Sequence, residues 1–221
     1  MKKILVCFIS CYCLIACNQE GKNNSTPDTT RMGPMVKIDT KHVDLQVIDS
    51  VPEEPDFALM DLSTEILNAL KKQDVNQLTK FVNPDFKLRF SPYGFIDTNS
   101  TKAFTPYELT AAFNKSSIFI WGSYDGSGDP IKMNIRQYFN KFVYNKDYLT
   151  APQKSINEFR ASGNSLNNLK EIYPGSSFTE FYFPGFDAKY NGMDWQTLRL
   201  VFRHSNQKTY LVAIIHDQWT T

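Results

Sequence analysis

Beyond residue 17 this chain of 221 residues contains no cysteine, because all four lie at Cys7, Cys11, Cys13 and Cys17. A disulfide, a thiol nucleophile and a cysteine-ligated metal are therefore excluded from the rest of the chain. Histidine is scarce as well. His42, His204 and His216 stand far apart in sequence, so a multi-histidine zinc site would need carboxylates to complete it. The GxSxG elbow, the P-loop, HExxH and GxGxxG are all missing, which removes the common short signatures of hydrolases, nucleotide-binding enzymes and zinc peptidases. No apolar run reaches the roughly 20 residues that a membrane-spanning helix requires. Neither sign of charge dominates: 24 Lys and Arg stand against 23 Asp and Glu, which argues against nucleic acid as a partner.

What is present first is an address. Lys2 and Lys3 form a cationic start, Ile4 to Ile15 is mostly apolar, and the small Ala16 precedes Cys17, the layout of a secretory signal. The run Leu14-Ile15-Ala16-Cys17 resembles a bacterial lipoprotein signal. That resemblance implies a diacylglyceryl thioether on Cys17, cleavage before it, and acylation of the new amine with a palmitate-type chain. Acyl chains contribute about 0.8 kcal/mol per buried methylene, so several of them tether a protein to a bilayer without spanning it. Residues 1–16 are then the signal peptide, and the mature chain sits outside the cytoplasm in the cell envelope. Removing the signal takes away two lysines and no acid, so the mature protein carries a slight net negative charge.

Residues 17–34 comprise the lipidated cysteine and a polar segment with Gly21, Pro27, Gly33 and Pro34, which reads as a flexible tether. Residues 35–54 form a lead-in in which Val43, Leu45 and Val47 alternate with Asp44 and Gln46, a pattern suited to a short edge strand. Residues 55–221 are expected to form one domain. The roughly 170 residues available can bury about 70% of their unfolded surface, enough for a core without staples.

That domain opens with an amphipathic helix. Asp56 is the expected N-cap, and Leu59, Leu62, Ile66 and Leu70 follow at helical spacing. Asp74 caps a shorter piece that Asn83-Pro84 stops. Phe86, Leu88 and Phe90 then alternate as a strand, and Ser91-Pro92-Tyr93-Gly94 supplies turn chemistry before Phe95 and Ile96. Thr105-Pro106-Tyr107-Glu108 is a capping box that starts another helix. Strands are expected at Ile118 to Trp121 and Ile131 to Met133. Asn134 caps the best apolar stripe of the chain, Ile135, Tyr138, Phe139, Phe142 and Val143. Ser155 to Phe159, a short helix from Leu166 to Ile172 and Phe178 to Phe183 come next. A hairpin closes the chain, Trp195 to His204 and Lys208 to Asp217, joined by Ser205-Asn206-Gln207. Counting by two places Tyr210, Val212, Ile214 and His216 on one face of its last strand and Asp217 on the other. Both faces carry apolar residues, as a covered central strand requires.

Helices followed by a largely antiparallel meander predict an α+β domain in which helices pack on one face of a curved sheet. The opening helix, Asp74-Val75-Asn76-Gln77-Leu78 running to Asn83-Pro84, and the Leu198 to Phe202 and Tyr210 to Ile215 hairpin resemble the NTF2-like (cystatin-like α+β) superfamily. Arg89-Phe90-Ser91-Pro92-Tyr93, Tyr124-Asp125-Gly126-Ser127-Gly128-Asp129-Pro130 and Ile215-His216-Asp217-Gln218-Trp219 resemble phrases of uncharacterised bacterial lipoproteins. The superfamily resemblance implies a cone with a cavity and no single activity, since that fold hosts enzymes, binding modules and dimerisation modules. No catalytic residue carries over.

The residues offer few sites of their own. Asp125 and Asp129 sit in a glycine-rich loop that could offer oxygens to calcium, but Pro130 and Arg136 occupy the positions where an EF-hand needs glycine and glutamate. A plain surface turn is the favoured reading. Asp187 and Asp194 flank a second glycine loop without any spacing that fixes a carboxylate pair. Trp195 and Tyr210 could line a ligand pocket, although most aromatics must fill the core. His216 is the strongest polar candidate, as an acid or base or as a ligand contact, against a structural role with one hydrogen bond. The expectation is a non-catalytic module for a small ligand or an envelope protein, anchored to the bilayer through Cys17 and using no cofactor. A cavity enzyme of hydrolase or isomerase type using His216 is one alternative, and an assembly factor acting as a homodimer is another.

Overall fold

Local capping fixes the first helices. The computed structural model describes residues 55–161 and 166–220; Cys17, the tether and the strand expected at 43–47 lie outside the described residues. Helix α1 (Pro55–Lys72) has Asp56 in its first turn rather than at the cap, and it buries Ile66, Leu67 and Leu70. Gln73 takes φ 49° beyond its end, and Asp74 then accepts the Gln77 N–H to start α2 (Val75–Thr79). After β1 (Leu88–Ser91) and β2 (Lys102–Phe104), the Thr105–Glu108 capping box opens α3 (Pro106–Asn114) with both of its reciprocal bonds formed. Strands β3 (Phe119–Ser123) and β4 (Pro130–Met133) form a small antiparallel sheet of their own.

Asn134 caps α4 (Ile135–Tyr138) as expected, but the helix then widens into a π-turn over Phe139–Val143, closed by the Tyr144 N–H on the Phe139 carbonyl at 2.8 Å. Such turns are uncommon and shift the register of a side-chain stripe. β5 (Gln153–Ile156) ends short of the expected Phe159, whose ring instead stacks on Phe178 at 4.6 Å. A one-turn helix, α5 (Leu169–Ile172), precedes β6 (Ser177–Phe183). β7 (Gln196–Ser205) and β8 (Lys208–Gln218) close the chain through a two-residue turn. Asn206 and Gln207 both adopt positive φ there, 50° and 61°, the backbone hand that a tight hairpin needs.

Among the described residues the main sheet has six strands in the order β2-β1-β8-β7-β6-β5. Every neighbouring pair is antiparallel except β1 with β8. The domain is thus α+β with a mainly antiparallel sheet. One face packs against α1, α3 and α4 through Phe90, Leu198, Leu200, Phe202, Leu211 and Ile214. The opposite face carries a smaller cluster of Phe178, Val201, Ala213 and Ile215 under Ile96 and Leu169, the latter from α5.

The antiparallel partner of β1 is Lys102–Phe104, and Phe95 and Ile96 lie in the connection between the two strands. Ile96 instead has its backbone paired by a side chain, its N–H donating to Asn168 Oδ1 at 2.8 Å and its carbonyl accepting from Asn168 Nδ2 at 3.2 Å. The amide reproduces a strand's donor and acceptor, which is why the segment can be buried without a ladder. One expectation is corrected in β8. The register passes from Val201↔Ala213 to Phe202↔Leu211, leaving Val212 as an extra residue. Val212 joins Ala213 on the second face, and Tyr210, opposite Arg203, lies on that face as well. Tyr210 and Val212 therefore do not share a face with His216.

Candidate functional site

A cleft of about 530 Å³ opens between the β1–β2 connection and the β3–β4 turn. Its apolar wall comes from Pro92, Phe95 and Leu166, and its polar groups from Tyr93, Asp97 and Asp125. The connection is pinned by its own side chains. Ser91 donates its hydroxyl to the Tyr93 carbonyl at 2.8 Å, and Arg89 Nη1 donates to Thr101 Oγ1 at 2.8 Å. Asp97 accepts the Ser100 hydroxyl at 2.7 Å and the Asn99 N–H at 2.9 Å; these bonds, the Ser100 hydroxyl foremost, hold its carboxyl below the ordinary range. It faces the cleft ionised.

Opposite stands the β3–β4 turn. Gly128 donates its N–H to the Tyr124 carbonyl and Tyr124 donates to the Asp129 carbonyl, which closes the loop. Gly126 and Gly128 take φ 85° and 71°, a conformation that side-chain-bearing residues avoid. Asp125 points one carboxylate oxygen at the Thr220 hydroxyl and the other at the Gly126 N–H. Asp129 donates its own N–H to Ser127 Oγ at 3.2 Å. Among the described residues no group of three or more His, Cys, Asp and Glu side chains could hold a metal ion. Burial raises the Tyr93 phenol; the Asp125 N–H bound to it opposes that shift and the Asp125 carboxylate adds to it. Tyr93 is therefore a neutral phenol in the cleft wall.

Behind that wall lies His216. Phe142, set by the π-turn, touches Tyr93, Tyr138 and His216 with ring centroids 6.1, 5.2 and 5.6 Å away. His216 is fully buried, and its Nδ1 lies 3.0 Å from the Pro92 carbonyl. A carbonyl only accepts, so Nδ1 carries the proton and Nε2 is left with a lone pair. Nε2 has no hydrogen-bond partner among the described residues, and neither does the buried Tyr138 hydroxyl. Burial pushes the His216 imidazole down to about 4; the Pro92 carbonyl opposes this, and the Arg199 charge adds to it. A neutral, sealed imidazole cannot exchange protons with a substrate in the cleft.

The other residues singled out in the sequence stand elsewhere. Trp195 is buried against Tyr182, 6.2 Å between centroids, and Tyr210 is half-buried with Lys208 Nζ 5.2 Å over its ring. Asp194 accepts the N–H groups of Phe186 and Asp187 at 3.0 and 2.9 Å, so it closes its own loop rather than pairing with Asp187 across a substrate. Asp217 faces away from His216 into a buried ion triad with Arg199 and Glu180. Sequence reasoning did not find Tyr93, Phe95 or Asp97 as cleft residues. The Ser-Pro-Tyr-Gly phrase marked their loop as a turn, which by itself does not show what that loop faces.

No family model and no curated protein matches the chain. Solved structures that align with it include an NTF2-like protein from Cytophaga hutchinsonii, at 9% identity over 73% of this chain and 96% of that one, TM-score 0.34. An NTF2-like protein of unknown function from Pseudomonas putida aligns at 9% identity over 73% and 84%, TM-score 0.33. ActVI-ORFA from Streptomyces coelicolor aligns at 13% identity over 72% and 94%, TM-score 0.32. The name reached by sequence resemblance recurs, but likeness at this level carries no argument about chemistry.

Proposed function

We propose that this chain is a lipid-anchored envelope protein whose domain binds a small, partly apolar ligand in the cleft beside Tyr93 without transforming it. One observation carries the reading: a neutral phenol and two carboxylates converge on an apolar wall within a single cleft of about 530 Å³. That size and mixture suit a small molecule whose apolar body lies on Phe95 and Leu166 and whose hydroxyl or amide donors meet Asp97 and Asp125. The burial of His216 behind Pro92 supports binding over turnover, because the strongest acid–base candidate has no path to the cleft. The Leu14 to Cys17 run supports the anchor, and an NTF2-like domain is compatible with a binding role.

Native mass spectrometry of the purified full chain tests this directly. A retained small molecule is expected, and Tyr93→Phe or Asp125→Ala should release it, with each ligand-free variant melting near the ligand-free parent. Retention that neither substitution disturbs would remove the cleft from consideration, and conversion of the released molecule by the parent protein would favour the enzyme reading.

A further inference from the structure

A groove of about 380 Å³ runs between β2, α3 and the start of β3, and it shares no lining residue with the cleft. All three residues of β2, Lys102, Ala103 and Phe104, line it. Successive side chains of a strand leave opposite faces of a sheet, so a groove touched by all three must follow the strand's edge. Among the described residues that edge is open, because β2 ends the six-stranded sheet with β1 as its sheet neighbour. Facing it across the groove are Ala111 and Ala112 of α3, side chains small enough to admit a second backbone.

The surroundings are apolar and cationic. Tyr107 lines this groove and an adjoining one of about 460 Å³, and it is 83% exposed. Ile118 and Ile120, next along the same border, are 60% and 49% exposed. Lys102 and Lys115 line the first groove, Lys80 lines the second, and Lys132 pairs with Ile120 across β3 and β4. Among the described residues Lys102, Lys115 and Lys132 form no ion pair. Among the described residues Glu108 is the one acid lining either groove, and its carboxylate is engaged by the Thr105 N–H at 2.8 Å and stands 4.0 Å from Lys87. The local field is therefore positive.

We propose that the open edge of β2 is a docking site for an extended, acidic segment of a partner protein, which adds as a strand along β2 and sets its carboxylates against Lys102 and Lys115. Main-chain bonds to an edge supply affinity in this mode, and the charges and side-chain pockets supply selectivity. A bilayer surface can neither enter a groove nor pair with a strand edge, whereas a polypeptide does both. An open edge beside exposed apolar side chains is also a hazard that proteins cover or charge, and here the lysines repel a second copy of the same face.

The test uses the full chain and a blocked synthetic peptide of alternating valine and glutamate, followed by fluorescence anisotropy. The acidic peptide should bind, and its counterpart of valine and lysine should not. Lys102→Gln together with Lys115→Gln should weaken binding about tenfold. Ala111→Phe, which fills the groove without altering charge, should weaken it as much. Both variants should melt with the parent, and if Ala111→Phe melts early, Ala111→Val replaces it. Binding that survives the charge pair or the filled groove overturns the proposal. So does preference for anionic phosphatidylglycerol over neutral phosphatidylcholine vesicles that the charge pair abolishes in the absence of peptide binding, or a dimer that Ala111→Phe dissolves.

Discussion

Arg199 bonds Asp217 through Nη1 at 3.1 Å while its Nε and Nη2 reach Glu180 at 3.0 and 2.9 Å, and no member of the three is more than 2% exposed. Glu180 sits directly across from Arg199 in the β6–β7 ladder, and it also accepts Thr197 Oγ1 at 3.0 Å and the N–H of Arg160. The ring of Phe159 lies 5.2 Å from the guanidinium and closes it from solvent. Three charges are thereby sealed within the second face of the sheet, each satisfied by the others. Arg199→Met should cost about 3–5 kcal/mol in urea unfolding, because two carboxylates are left buried without a cation. Adding Glu180→Gln should recover part of that loss. Equal stability of parent and Arg199→Met would show that the triad contributes nothing.

The His216 imidazole provides a pH test. Its value falls from the ordinary 6.5 to about 4 in the folded protein, so on acidification the unfolded chain takes up the proton first. The stability that depends on neutral His216 is complete above the ordinary value and is lost as pH falls through this window. The loss should reach roughly 3 kcal/mol relative to His216→Gln, whose amide keeps a donor for Pro92 but does not titrate. Parallel pH profiles for the two proteins would mean that His216 is protonated at its ordinary pH despite its burial.

The closing hairpin turn holds Gln207 at φ 61°. A side chain is strained there by about 1 kcal/mol, while glycine is not. Gln207→Gly should raise the unfolding free energy by roughly 0.5–1 kcal/mol even though glycine loosens the unfolded chain. A drop in melting temperature would show that the Gln207 side chain makes a compensating contact.

For the anchor, Cys17→Ala should abolish uptake of labelled fatty acid and shift the protein from the detergent phase to the aqueous phase. Uptake equal to the parent's would remove the lipoprotein reading and leave an ordinary cleaved signal.

The sequence was most legible where one residue's chemistry decides its local structure. Asp74, Thr105 and Asn134 each announced a helix start that exists, since a side-chain acceptor three residues before an orphan N–H is a purely local device. The hairpin and the doubly covered β8 were legible for a similar reason, through an alternation long enough to survive noise. What stayed hidden depends on partners distant in sequence. Ile96 follows a turn in sequence, and its backbone is paired by Asn168 from 72 positions away. His216 and Pro92 meet across 124 positions, so the depth of the imidazole could not be read from its own strand. The cleft has the same origin, because its two sides belong to different loops, one from the main sheet and one from the separate β3–β4 pair, that only tertiary packing brings together.

Val212 gives β8 a consequence beyond geometry. Since Leu211 and Ala213 face consecutive partners on β7, losing Val212 would leave every other pairing of the strand intact, whereas losing a residue well away from this bulge would turn part of β8 inside out. The interruption frees the Leu211 N–H from the ladder to reach the Phe81 carbonyl at 2.8 Å, so a shortened strand would keep its faces but drop that link. Relatives of this chain that differ in length within their last strand should therefore carry the difference at this one position, and they should show a compensating change in the segment that holds Phe81.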